Sequence, residues 1–116
     1  MRYLTIEIPV RLWHRVDVCV DNSMAIDVVE GIMETVIAGA CIRDGGWRAS
    51  AAYEGALDPH GWPPRSHLLP ITLRLAHWEW VLSQLDRWEP YVTEGAADDA
   101  DVRAVITDAL ARLTRG

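Results

Sequence analysis

The chain has 116 residues, a mass of 13.0 kDa and a hydrophobic fraction of 50%, which is enough for one packed core and too little for two. Its formal charge of −6, from 17 acidic and 11 basic residues, argues against nucleic-acid binding, because clustered positive charge drives that interaction. Lysine and phenylalanine are both absent, a bias typical of a GC-rich bacterial or phage genome.

The N-terminal residues MRYLTIEIPV mix charged with apolar side chains, which is not the pattern of a signal peptide. The longest uncharged apolar run, Thr35 to Ile42, is far below the ~20 residues that cross a bilayer. Cys19 and Cys41 fit neither a disulfide framework nor a zinc motif. We therefore expect a cytoplasmic protein with no membrane contact, no bound metal and no cofactor.

The first half of the chain begins with a strand and contains a long apolar-periodic segment. Residues 3–8, YLTIEI, alternate between apolar and polar, which predicts a half-buried strand that Pro9 ends. Residues 10–21 are ambiguous, because their apolar side chains recur at both helical and strand spacing. A helix is predicted from Met24 to Arg43, preceded by the cap residues Asp21-Asn22-Ser23 and stopped by Gly45-Gly46.

That predicted helix has an apolar face, an acidic face and a line of small residues. The residues expected to face inward are Ile26, Val29, Met33, Val36, Ile37 and Ala40, and those expected on an acidic outer stripe are Asp27, Glu30 and Glu34. Gly31, Thr35 and Gly39 recur at i, i+4 and i+8, which indicates either close approach of another backbone or a locally loosened helix.

The second half repeats this order after a connection over residues 47–64. Residues 68–73, LLPITL, predict a second strand, which Pro70 confines to an edge. A helix follows over residues 74–88, and a last helix begins near Asp98 to Asp101. The residues expected to face inward from these two helices are Leu75, Trp78, Val81, Leu82, Leu85, Trp88, Val102, Val105, Ile106, Ala109, Leu110 and Leu113.

The two halves also resemble each other in sequence. Residues 8–14, IPVRLWH, match residues 71–77, ITLRLAH, at four of seven positions. Since residues 74–88 are helical in pattern, the match favours a helix for residues 10–21 as well. The predicted fold is a single α+β domain over residues 1–116. It comprises two strand-helix-helix units, 1–46 and 68–116, joined by a loop at 47–67 and related by a pseudo-twofold axis. Four helices pack with a small two-stranded sheet, and the alternative is an N-terminal β-hairpin followed by helices. Because isolated paired strands are marginal in water, we expect these strands to lie on the helices or to extend across a dimer.

Two regions are candidates for contacting a partner. On helix 74–88, Trp80 lies opposite the apolar stripe with Gln84 and Arg87, a composition typical of binding hot spots, unless another segment covers it. The loop residues His60, Trp62, Arg65 and His67 form the second region. Its alternative interpretation is that Trp62 folds back and anchors its own loop.

We expect a small acidic, non-enzymatic module that regulates or inhibits another protein, and a homodimer is compatible with this expectation. In size and acidity the chain is similar to small bacterial antitoxins, immunity proteins and phage-encoded inhibitors, although no motif carries the likeness. The alternative is a small enzyme or ligand-binding domain, with His14, His77 and Glu79 lining a pocket where the two repeats meet.

Overall fold

The computed structural model describes residues 2–115 and has an α+β fold. Four helices accompany a two-stranded antiparallel sheet within these residues. In chain order the elements are β1 (Tyr3–Pro9), α1 (Val10–Val29), α2 (Met33–Ala51), β2 (Leu68–Arg74), α3 (Leu75–Trp88), a single 3₁₀ turn (Glu89–Tyr91) and α4 (Ala96–Arg115). The fold class, both strands and the helical state of residues 10–21 are thus as the sequence predicts.

The sheet is a short ribbon with one covered face. β1 and β2 pair from Tyr3↔Arg74 to Pro9↔Leu68, with Ile6 opposite Ile71. Ile6 and Ile8 of β1 and Leu69, Ile71 and Leu73 of β2 are buried in the core. The hydroxyls of Thr5 and Thr72 bond each other at 2.7 Å on the outer face. Because a lone two-stranded ribbon is marginal in water, its stability depends on the helices that pack against the inner face.

The two strand-to-helix junctions have the same local geometry. The residues that precede α1 and α3, Pro9 and Arg74, have φ,ψ of −58°, 142° and −59°, 143°. The Val10 N–H donates to the His67 carbonyl at 2.9 Å, and the Leu75 N–H donates to the Arg2 carbonyl at 3.0 Å. Each helix therefore begins where its strand ends, and the chain just before the opposite strand accepts its first N–H.

The junction geometry does not follow the sequence match between the two halves. Structurally, Pro9 corresponds to Arg74, whereas the sequence match pairs Arg11 with Arg74, two residues further along. Trp13 and Trp78 are each the fourth residue of their helices, and both are fully buried. A two-residue shift turns a helical side chain by about 200°, so residues matched by sequence do not share a helix face.

The helices of the first half break at a different place from the one predicted. α1 continues through Asp21-Asn22-Ser23 to Val29, and α2 continues through Gly45-Gly46 to Ala51. The break falls instead at Gly31, whose φ of +75° suits glycine and reverses the chain. The predicted helix over 24–43 is therefore wrong in both boundaries: its first part belongs to α1, and the connection to β2 begins only at residue 52.

Small residues allow α1 and α2 to pack closely as an antiparallel hairpin. A Cβ built on Gly46 would lie 2.6 Å from Cε2 of Trp13, and one on Gly39 would lie 2.5 Å from Cγ of Met24. The close-packing interpretation of the small-residue line is thus confirmed at Gly39, whereas Gly31 lies in the turn. Glycines inside a helix cost helix propensity, and here they permit contact with a neighbouring helix.

The core centres on two tryptophans. Trp13 and Trp78 pack edge to face with ring centroids 6.3 Å apart, and the Trp78 Nε1–H donates to the Leu4 carbonyl at 2.9 Å. α4 starts at Ala96 and covers this core with buried Val102, Ile106 and Ala109, as its periodicity predicts.

Ion pairs fasten α4 to α1. The Arg11 guanidinium lies 2.7 Å from the Asp98 carboxylate, and the Arg15 guanidinium lies 2.7 Å from that of Asp99. The acidic residues at the start of α4 therefore pair with side chains of another helix, in addition to lying at the positive end of their own.

Candidate functional site

The predicted contact residues on α3 are engaged within the protein. The Arg87 guanidinium donates two hydrogen bonds of 2.9 Å to the Asp27 carboxylate, one to each oxygen. Gln84 Oε1 accepts from the Ser23 hydroxyl at 2.7 Å, and the Trp88 Nε1–H donates to the same hydroxyl at 2.8 Å. These bonds form a polar network that joins α1 to α3, so both predicted polar contacts already have partners.

Asp27 is a buried member of this network and not part of an outer acidic stripe. Only 5% of it is exposed, and it also accepts a 2.6 Å hydrogen bond from the Thr35 hydroxyl of α2. The hydrogen bonds donated by Arg87 and, to a smaller extent, by Thr35 lower the pKa of the Asp27 carboxyl below its ordinary value. The carboxylate thus connects α1, α2 and α3 just beneath the turn at Gly31.

Trp80 is half-buried and packs against the core cluster. Trp88, expected in the core, is also half-buried, with its ring 5.2 Å below the Arg87 guanidinium. The structure therefore places Trp80, Gln84 and Arg87 near one another on α3, as predicted, but leaves only part of the indole accessible. A large aromatic ring can reach the core from the side of a helix, and assigning residues to helix faces by their spacing does not take this reach into account.

The loop over residues 52–67 folds back on the protein. The Asp58 carboxylate accepts the backbone N–H groups of His60 and Trp62 at 2.8 and 3.0 Å, and Gly61 has a φ of +90°. Trp62 is buried, with its ring 4.4 Å from that of Trp47 and 5.1 Å from the imidazole of His14. The alternative interpretation, in which Trp62 anchors its own loop, is therefore the one that the structure shows.

The remaining predicted loop residues are exposed, and two of them support α1. The carbonyls of Arg65 and His67 accept the N–H groups of Arg11 and Val10 at the start of that helix. The His67 Nδ1 also hydrogen-bonds the Tyr53 hydroxyl. His60 is exposed as well. This loop therefore caps a helix through its backbone while its polar side chains remain accessible.

The structure does not bring His14, His77 and Glu79 into one pocket. His14 lies against Trp62, and burial together with the nearby Arg65 guanidinium lowers its pKa. His77 lines a cleft with Cys41 and Arg74, whereas Glu79 lines a different groove with Leu110 and Leu113. His14 is the fifth residue of α1 and His77 is the third residue of α3, so the sequence match does not place them at equivalent positions of their helices.

A surface that the sequence did not indicate lies at the turn between α1 and α2. We call it the elbow surface, and define it by the exposed aliphatic residues Val28, Val29, Ile32, Met33 and Ile37. Val29 is 83% exposed and Ile37 is 62% exposed. The prediction that Ile26, Val29, Met33, Ile37 and Ala40 face inward is therefore wrong, and only Val36 of that set is half-buried.

Periodicity alone does not show which face of a helix meets the core. The prediction rests on the usual rule that the apolar face points inward. The break at Gly31 divides the predicted stripe between two helices, so its members no longer share a face. α2 then contacts α1 through Thr35 and Gly39, whose small size allows close approach, and the bulky residues Met33 and Ile37 are exposed. The signal that could have revealed this is the small-residue line itself.

The elbow surface has an acidic rim. Glu30 lies in the turn and Glu34 in the first turn of α2, and both are exposed. The turn is held by backbone hydrogen bonds from the Ile32 N–H to the Asp27 carbonyl, 2.9 Å, and from the Gly31 N–H to the Val28 carbonyl, 3.2 Å. The exposed aliphatic side chains are thus presented on an ordered turn.

Comparison of this chain with protein-family models, with curated proteins and with solved structures finds no match. Over residues 2–115, no helix has both the length and the apolar character needed to cross a bilayer. Nor do His, Cys, Asp and Glu side chains of that part of the chain gather in groups of three or more that could hold a metal ion.

Proposed function

We propose that this chain is a small, acidic, non-enzymatic module that binds another protein through the elbow surface and thereby regulates or inhibits it. One observation carries the proposal: five large aliphatic side chains within ten consecutive residues are exposed around an ordered turn. Contiguous exposed apolar surface on a small protein is typical of an interaction site. Scattered single apolar residues would not support the same proposal.

The support beneath the elbow favours binding without a large entropic cost. Asp27, Thr35 and Arg87 join three helices directly under the turn. A surface that is ordered before association loses little conformational freedom when a partner covers it. Met33 adds adaptability, because its unbranched thioether adjusts to the shape of an apolar partner.

The charge around the elbow indicates the chemistry of the partner. Glu30 and Glu34 flank the aliphatic residues, and the whole chain carries a formal charge of −6. We infer an apolar partner surface bordered by arginine or lysine, since complementary charge speeds encounter and rejects acidic competitors. The same rim disfavours anionic lipid surfaces, which attract basic segments.

A cytoplasmic location is part of this proposal. Both cysteines are free thiols, and Cys41 is exposed. A reducing compartment keeps such a thiol from pairing with others, whereas an oxidising one favours disulfides.

The proposal is tested by co-purification from the native host. The double variant Met33→Ser/Ile37→Ser removes two aliphatic groups from the elbow surface. The control is Val18→Ser, an exposed aliphatic position on α1 before the elbow. If each truncated contact contributes about 1 kcal/mol, the double variant weakens binding by about thirtyfold. We expect a co-purifying protein that the double variant loses and the control retains.

Three results would contradict the proposal. The first is a partner that the double variant retains with unchanged affinity. The second is equal loss of the partner by Val18→Ser, which would separate binding from the elbow. The third is a concentration-dependent homodimer in sedimentation that Met33→Ser/Ile37→Ser abolishes, because a second copy would then cover the surface.

A further inference from the structure

A small cleft lies between α2 and the junction of β2 with α3, and its volume is 170 Å³. α2 contributes Cys41, Asp44 and Arg48, which helical spacing of three and four residues places on one face. Arg74, the last residue of β2, and His77, in the first turn of α3, line the opposite side. Most of the lining side chains are thus ionisable, and Thr72 and Leu73 of β2 also line the cleft.

Positive charge in this cleft exceeds negative charge, in contrast with the chain as a whole. Within the described part of the chain, no carboxylate forms an ion pair with Arg74. Arg48 pairs with Asp44 at 2.9 Å across one helical turn, and these side chains are 71% and 64% exposed. Exposed pairs of this kind contribute little to stability, so Arg48 can turn towards another anion at small cost.

The start of α3 adds to the positive potential. Arg74 occupies the cap position of this helix, and its side chain makes no capping hydrogen bond to the first turn. The amino end of a helix carries partial positive charge. Burial, and secondarily the Arg74 guanidinium, lower the pKa of His77, so its imidazole experiences this positive surrounding.

We propose that this cleft binds a phosphate group, free or carried by a small molecule, between the guanidinium groups of Arg48 and Arg74, with the imidazole of His77 beside it. A guanidinium offers paired N–H donors that match the oxygens of a phosphate, and two of them balance its double charge. The volume of 170 Å³ is below the roughly 300 Å³ of the smallest pockets for drug-sized ligands, and it suits a small anion.

The experiment titrates the full chain with inorganic phosphate, and separately with glycerol 3-phosphate, at constant ionic strength maintained with chloride. Binding is followed by calorimetry and by the NMR signals of the His77 imidazole. Arg74→Gln and Arg48→Gln are the test variants. Arg112→Gln is the matched control, because Arg112 also pairs with an aspartate one turn away, and the side chains of that pair are 65% and 63% exposed.

We expect saturable binding by the native chain, a loss of about tenfold or more in affinity for each test variant, and little change for the control. Binding of both probes would show that the phosphate group suffices, and binding of glycerol 3-phosphate alone would assign the site to an ester.

A second readout uses the thiol that lines the cleft. Occupancy should slow alkylation of Cys41 by neutral iodoacetamide, and it should do so less in Arg74→Gln than in Arg112→Gln. The proposal is overturned if neither probe binds saturably, if the control variant loses as much affinity as the test variants, or if a probe that binds does not slow alkylation. Circular dichroism of each variant confirms that the fold is retained.

Discussion

Replacing Gly46 with alanine tests the hairpin packing that places the elbow surface outside. The new Cβ would lie 2.6 Å from Cε2 and 2.8 Å from Cζ2 of Trp13, well inside van der Waals contact. Trp13 is fully buried and packs against Trp78, so its indole has no open space into which to move. Overpacking of a core costs about 1–3 kcal/mol, and a rigid ring belongs at the upper end, about 3 kcal/mol.

Alanine also improves helix propensity by about 1 kcal/mol over glycine, so the net loss for Gly46→Ala is about 2 kcal/mol. For a domain of this size that corresponds to a fall in Tm of about 8 °C. Urea unfolding followed by circular dichroism measures the free energy directly.

Gly39→Ala is the matched control, because its Cβ would meet the flexible, half-buried side chain of Met24. Met24 can change rotamer, but Cγ1 of the buried Val20 would lie 3.1 Å from the same Cβ. The propensity gain and this mild overlap oppose each other, so the stability of Gly39→Ala should stay within about 1 kcal/mol of the native value. A Gly46→Ala protein as stable as the native one would refute the packing argument. Equal destabilisation by both variants would show that the loss of stability comes from crowding of the α1 and α2 backbones and not from the Trp13 indole.

Two further predictions concern ionisable groups. At pH 8 one thiol per native chain should react with a thiol reagent, and two thiols should react after unfolding in urea. The reason is that Cys41 is exposed, whereas burial raises the pKa of Cys19 to about 11. Two rapidly reacting thiols in the native chain would contradict this prediction. The pair of Arg87 with Asp27 should stabilise the fold fully above the ordinary pKa of 3.8 and progressively less as the pH falls through the lowered folded pKa. The difference in unfolding free energy between the native chain and Arg87→Gln, measured by urea unfolding from pH 7 to pH 2, should therefore shrink in acid, and a constant difference would show that the pair contributes nothing.

Local patterns were sufficient for the elements whose environment is simple. Alternation of apolar and polar residues over 3–8 identified β1, and the short apolar run over 68–73, with Pro70, identified β2 as an edge strand. In both strands one face meets the core and the other meets water. The stripe containing Trp78, Val81 and Leu85 identified α3 for a similar reason. In each case burial on one side leaves a periodic signature that does not depend on the rest of the chain.

The helix boundaries could not be read locally, because the same residue type has opposite effects in two places. Gly31 ends a helix by adopting a positive φ, whereas Gly45 and Gly46 lie inside one. What distinguishes them is tertiary contact: Leu73 lies against Gly45, and Trp13 lies against Gly46. Helix propensity alone therefore predicts that the glycine pair ends the helix, whereas in the structure the pair lies inside α2 and permits close packing.

The candidate sites depended even more on tertiary structure. Trp80, Gln84 and Arg87 do lie near one another, as helical spacing requires, but spacing gives no indication that Asp27 and Ser23 would engage two of them. Trp62 is fixed by Trp47, which a sequence reading assigned to the same connecting loop and which in fact belongs to α2.

The exposure of the elbow surface follows from the residues that α2 uses against α1. Turning α2 so that Met33 and Ile37 faced α1 would withdraw the Thr35 hydroxyl from Asp27 and would replace Gly39 at the contact with larger side chains. The buried carboxylate would then lose a donor, and the two helices would have to separate, which would open space around Trp13. Packing within the monomer therefore selects the face of α2 that carries Thr35 and Gly39, and it leaves Met33 and Ile37 exposed. Since these two side chains contribute little to the monomer's own stability, polar substitutions there should affect association and leave unfolding nearly unchanged.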